Sequence, residues 1–286
     1  MRIGLCTTDF PRAYSAHELF RKVSEFGFES VQLAFSSVEE CGFSVSDHIE
    51  IPKAVSLAAI EAILEASHES GVAIDAVNGT WNMAHPDAEI RAEGIRRMDG
   101  FLAAVAGLDC PIATLCSGTR SRRHLWYPHE ENTSSGAWQD MLCSMQHACE
   151  LAEKHGVTLA IETEAANIID TPEKASRIMD EVGSSRLKMI LDCANLFHAG
   201  DAHPENVKAT IDRAMMFFGR DIVLAHGKDI HESDGIDFCG AGFGIVDFRY
   251  MMDSLRRAGF SGSMMLHGAA CEAEIPACLA HIRRCI

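Results

Sequence analysis

Three apolar runs in this 286-residue chain end in side chains able to bind a metal or move a proton. "LAIET" closes on Glu162, "MILDCAN" on Asp192 and Asn195, and "VLAHGKD" on His226, Lys228 and Asp229. A fourth run, "MMLHG", closes on His267. Carboxylates packed together repel, and one of them takes up a proton unless a cation intervenes. Two carboxylates with two imidazoles form a mixed N/O ligand set. Such a set suits one Mn²⁺, Zn²⁺, Co²⁺ or Fe²⁺ ion better than Ca²⁺ or Mg²⁺, which prefer all-oxygen sites. A lone acid at a strand end is usually a helix cap, and a lone buried histidine is usually a satisfied core residue. Recurrence at corresponding ends of successive runs is what points to Glu162, Asp192, His226 and His267 as metal ligands.

Positioning these groups at one spot requires neighbouring strands. Eight short apolar runs start near Arg2, Ser30, Val72, Ile112, Val157, Leu187, Asp221 and Ser261. Each is bounded by Gly or polar residues, as buried parallel strands are. Helical stretches lie between them. "SAHELFRKVSEFG" has a capping box and a glycine stop, "SLAAIEAILEASHESG" ends the same way, and "TPEKASRIMDEVG" starts on Thr-Pro. "DFRYMMDSLRRAGF" follows the last pattern before the eighth run. The repeat predicts a single (β/α)8 TIM barrel over residues 1–286, an α/β fold whose active site lies at the C-terminal strand ends. An open doubly wound sheet is the alternative, weakened by the lack of a G-x-G-x-x-G turn.

Composition bounds the function. Hydrophobic residues make up 47% of the chain, enough for a large core, and the formal net charge is −16. A nucleic-acid partner needs a basic footprint that is missing here. No run is long enough for a membrane span, and the first residues do not read as a secretory signal. The 11 cysteines form no C-x-x-C pair, which fits a reducing cytoplasm. Cys271, Cys278 and Cys285, seven residues apart, read as small buried residues on one helical face.

Long loops are expected after strand three (80–88), strand four (119–137) and strand seven (230–246). The first holds Trp81 and His85 just after Asn78, all plausible sugar contacts, although Pro86-Asp87 also reads as a helix start. The second, "TRSRRHLWYPHEENTSSGAW", gathers Arg120, Arg122, Arg123 and His124 before Trp126. It could clamp an anionic sugar, or it could serve as an oligomer contact. The Gly240, Gly242 and Gly244 run after strand seven reads as a tight turn and not as a phosphate loop.

In this order and spacing, the "AIE" of strand five, "LDCANLF", "AHGKD", "GAGFGIVDF" and "GFSGSMMLHG" resemble the sugar phosphate isomerase/epimerase superfamily, the xylose isomerase-like TIM barrels. The resemblance covers essentially the whole chain. It implies metal ligands at Glu162, Asp192 and His226, with His267 where relatives commonly carry a glutamate. Asn195 stands where relatives often carry a second histidine, which favours one metal over a multinuclear cluster. The expected activity is isomerisation or epimerisation of a small sugar, sugar acid or sugar phosphate, by proton transfer next to a carbonyl through an enediolate. Glu162, Glu164 and His267 are the candidate acid/base groups. Asn78, Trp81, His85, Arg120, Trp126, Asn195 and Lys228 are the candidate substrate contacts. A metal-dependent hydrolase or lyase, or a non-catalytic sugar-binding protein, remains the alternative.

Overall fold

The computed structural model describes residues 1–286. Eight parallel strands close a barrel: β1 (Ile3–Cys6), β2 (Ser30–Leu33), β3 (Ala73–Asn78), β4 (Ile112–Leu115), β5 (Thr158–Glu162), β6 (Leu187–Asp192), β7 (Ile222–Ile230) and, after a short β8 (Phe238–Gly240), β9 (Ser263–Leu266). Each barrel strand pairs with the next in order, β7 pairs with β9, and β9 returns to β1. Helices α1 (Ala16–Phe26), α2 (Leu57–Ser70), α3 (Ala88–Gly107), α4 (Ser135–His155), α5 (Pro172–Val182), α6 (Val207–Phe218), α7 (Phe248–Arg257) and α8 (Ile275–Cys285) follow the barrel strands in turn. This is the (β/α)8 barrel expected from the repeat.

The caps form where the sequence places them. Ser15 accepts from the Glu18 N–H at the start of α1, and Gly27 ends that helix at φ +88°. Thr171 caps α5 ahead of Pro172, and Asp247 caps α7 by accepting from the Tyr250 N–H. Asp87 caps α3, so Pro86-Asp87 is a helix start. Cys271 departs from the expected buried face: α8 begins only at Ile275, leaving Cys271 exposed before it while Cys278 is buried.

Most of the core lies between strands and helices, and a separate small cluster fills the barrel. Cys6, Ala76, Ala160, Ile190, Leu224 and Met265 make up that inner layer, one each from β1, β3, β5, β6, β7 and β9. Alternation in a strand puts residue i+2 on the same face. The next inward residues toward the C-terminal ends are therefore Asn78, Glu162, Asp192 and His226, with Lys228 one step further along β7. An apolar floor thus carries a polar layer, and the fold itself sets both.

Strand β7 runs further than the sequence suggests. Its last residues, Lys228–Ile230, pair antiparallel with β8, so His226 sits inside the strand and not at its end. The loop beyond β8 is held by Asp229, which is fully buried. Its Oδ2 accepts from the Gly242 and Gly244 N–H groups at 2.9 and 3.0 Å, and its Oδ1 accepts from Ile230 and Val246. Gly242 has φ +92°, and a Cβ on Gly244 would lie 2.2 Å from the Ile230 carbonyl oxygen. The glycine run is the tight turn expected.

Candidate metal centre at the barrel mouth

Glu162, Asp192 and His226 converge, with one potential ligand atom of each lying within 4.8 Å of the others. His226 Nδ1 is 3.2 Å from Asp192 Oδ2 and 3.3 Å from Glu162 Oε2. The pairing of β6 with β7 sets Asp192 directly opposite His226, which explains the close approach. His226 Nε2 lies 3.0 Å from Gln32 Oε1. A neutral ring would place its proton on Nε2, donate it to Gln32, and leave the Nδ1 lone pair facing both carboxylates. Asp192 also receives the Ala194 and Asn195 N–H groups on Oδ1, so its Oδ2 is the atom turned to the centre.

The charges nearby are strongly perturbed. Asp192 is pulled well below the usual carboxylate range by Lys228 and His226, which together overcome burial. Burial alone would lower His226, yet Asp192 and Glu162 raise it to about 9. Burial likewise opposes the Lys228 ammonium, and Asp192, Glu164 and Glu162 hold it above its usual value. Lys228 Nζ donates to Asn195 Oδ1 and sits 3.3 Å from Asp192 Oδ2. It does not pair with its neighbour Asp229. Asn195 Nδ2 in turn donates to Glu162 Oε2 at 3.3 Å. Glu164, 8% exposed, lies beyond the end of β5. Burial pushes its carboxyl up to about 7, with Lys228 acting against that and Glu162 reinforcing it.

The other expected residues distribute unevenly. His267 follows β9 and is not one of the three converging groups; its Nδ1 is 2.8 Å from Asp9 Oδ1, and its ring centre is 5.9 Å from that of His226. A neutral ring that donates Nδ1–H to Asp9 would leave the Nε2 lone pair free. Asn78 closes β3 and bonds to Thr114, Gln32 and Glu50. Trp126 is 37% exposed and donates Nε1–H to Glu50. Trp81 is fully buried, packed against Gly94. His85 is buried beside His48, 4.4 Å between ring centres, and burial lowers it to about 4. Arg120 is bound to Asp140 and to the Ala84 carbonyl.

Gln32, Thr114, Asp9 and Glu50 also build this mouth, and none was singled out from the sequence. Gln32 and Thr114 are polar positions inside apolar runs, a signal available to a reading of strand alternation. Glu50 lies in a non-periodic loop, residues 34–56, and carries no such signal. The surface clefts of about 640 Å³ around Arg2 and Asp75 and of about 710 Å³ beside His147 and Glu150 include none of these residues.

Comparison with known proteins agrees with the architecture. The 3-keto-D-glucoside 4-epimerase of E. coli matches with a TM-score of 0.73 at 18% identity over 100% of both chains. The IOLI protein with a bound zinc atom matches at 0.71 and 15% identity, covering 100% of this chain and 96% of its own. The probable 3-DHS dehydratase of Bacillus anthracis matches at 0.75 and 16%, covering 98% of each chain. At these identities the likeness establishes the fold. Comparison with curated proteins by sequence yields no match. No helix is long and apolar enough to cross a membrane. The model of the xylose isomerase-like TIM barrels matches residues 20–284, and with the closed barrel described above this chain belongs to that family.

Proposed function

We propose that the chain is a divalent-metal-dependent isomerase or epimerase of a small sugar or sugar derivative. The observation that carries this is the convergence of Glu162, Asp192 and His226 at the C-terminal mouth of the barrel. The donor set fits a single Mn²⁺, Zn²⁺, Co²⁺ or Fe²⁺ ion: two carboxylates, one imidazole, and a Gln32 amide fixing the ring's other nitrogen. His267, which follows β9 at the same mouth, would complete the set. When bound, the ion supplies a Lewis acid that polarises a carbonyl and acidifies the adjacent C–H. The zinc named for the IOLI protein and the epimerase activity named for the E. coli neighbour support this reading.

The chain's own groups then handle the proton. Glu164 is a carboxyl that titrates near neutrality, as suits a general base. Glu162 is the alternative base. Lys228 keeps its charge and offers an N–H to oxygen-centred negative charge that develops beside Asp192. One carboxylate serving one face of the substrate favours aldose–ketose isomerisation. Epimerisation with proton delivery from the opposite face would assign His267 an acid/base role.

Chelator-treated protein should interconvert no sugar of a panel of aldoses and ketoses, and stoichiometric Mn²⁺ or Co²⁺ should restore turnover. Metal bound stoichiometrically without turnover of any sugar would favour a binding protein. Cleavage or dehydration products would favour a lyase.

A further inference from the structure

Glu50 is a half-buried carboxylate with no cationic partner among the ion pairs of the structure. Its Oε1 accepts from Trp126 Nε1 at 3.1 Å, and its Oε2 accepts from Asn78 Nδ2 at 3.4 Å. A carboxylate has about four acceptor positions, so about two remain free. Burial pushes the group up, the Trp126 N–H opposes this, and Glu162 and His267 act on it through space. Asn78 belongs to the inward polar layer, so its bond places Glu50 at the same barrel mouth as the candidate metal centre.

The surroundings are rigid. Ile49 bridges to Trp81, Glu50 N–H donates to Thr80, Asn82 N–H donates to His48, and Leu125 N–H donates to Asp47. The loops after β2, β3 and β4 are stitched together before any ligand arrives. Trp126 is tethered by its N–H, yet more than a third of the residue is exposed. A tethered indole beside a carboxylate with spare acceptors suits C–H faces and hydroxyls.

The cations of the same loop are turned elsewhere. Arg120 is bound to Asp140 and Ala84. Arg122 and Arg123 line an outer cleft of about 680 Å³ with Tyr127, His129 and Glu131, and neither Glu50 nor Trp126 borders it. Arg123 stacks over Tyr127, 4.7 Å from its ring centre.

Resting on the sugar isomerase reading, we propose that Glu50 and Trp126 form the subsite for the part of the substrate remote from the carbonyl. Trp126 packs on the sugar's C–H face, Glu50 accepts from its hydroxyls, and the uncompensated carboxylate rejects phosphorylated or carboxylated sugars. The substrate is then a neutral polyhydroxy carbonyl compound.

The test measures binding to metal-loaded protein by tryptophan fluorescence. Trp81 and Trp138 are buried, so Trp126 is the reporter, with Trp126→Phe as the control. The probes are D-fructose, D-tagatose and D-psicose, set against D-fructose 6-phosphate and D-tagatose 6-phosphate. At least one free ketose should perturb the signal, and the phosphates should bind at least tenfold more weakly. Glu50→Gln should weaken the free ketose about tenfold, because a charged acceptor becomes neutral, and should narrow the gap to the phosphates. Phosphates binding as tightly as free ketoses, no response to any free ketose, or unchanged binding in Glu50→Gln would each overturn the proposal. If Glu50→Gln does not fold, the wild-type preference between free and phosphorylated ketoses decides. Solvent-deuterium exchange on the same sugars separates the two readings. Binding as expected without exchange leaves the subsite and removes the isomerase. Exchange with phosphates preferred does the reverse.

Discussion

In the metal-free protein, His226 should make stability fall with rising pH across the neutral range. Its imidazole is held at about 9 by Asp192 and Glu162, against an ordinary value of 6.5. Below about pH 6.5 the ring is protonated both folded and unfolded, so its interaction with the carboxylates contributes in full. Between 6.5 and about 9 the unfolded chain loses that proton while the folded chain keeps it. Stability falls there by about 1.4 kcal/mol per pH unit, and above about 9 the contribution is gone. The whole window is worth about 3 kcal/mol. The depressed Asp192 is the other side of the same contact and is not added to it. Urea unfolding of chelator-treated protein at several pH values would measure this against His226→Gln, which removes the titrating ring and cancels other groups. The stability difference between wild type and variant should shrink by about 3 kcal/mol from pH 6 to pH 9.5. A difference that stays flat would mean that Asp192 and Glu162 do not hold an imidazolium, and the site geometry would need revision. Because metal must displace that proton, metal affinity should rise with pH over the same window.

Asp192→Ala should abolish stoichiometric metal binding while the barrel still folds, checked by metal analysis and circular dichroism. Gly94→Ala should destabilise by about 1–3 kcal/mol and shift the buried tryptophan emission, because a Cβ there would lie 2.1 Å from the Trp81 ring. Arg120→Ala should lower the unfolding midpoint by breaking the link to Asp140, without a selective rise in KM for anionic over neutral sugars.

The barrel was legible because its signals are local. Caps at Ser15, Thr171 and Asp247, and apolar runs with polar ends, each announce one element without reference to the others. The three converging side chains were legible for a related reason, since each lies on the inward face of its strand and the strand order brings them together. What stayed hidden depends on long-range contacts. Glu50 reaches the mouth only because the loop after β2 is pinned to Thr80 and Trp126, more than 25 residues away. The Arg-rich loop read as an anion clamp or an oligomer contact, and the structure adds that the partner of Arg120 is Asp140, on the following helix. Trp81 read as a sugar contact and is a buried side chain against Gly94, a packing relation that residue type alone does not reveal.

The most direct test is solvent-deuterium incorporation into a sugar carbon next to the carbonyl, followed by NMR with the metal-loaded protein in D₂O and free ketoses as substrates. Label should enter without cleavage of the sugar, disappear on chelation, and be lost in a Glu162→Gln, Glu164→Gln double variant. No incorporation into any sugar by protein carrying one metal ion per chain, or incorporation undiminished in that double variant, would contradict proton transfer by these carboxylates at this mouth.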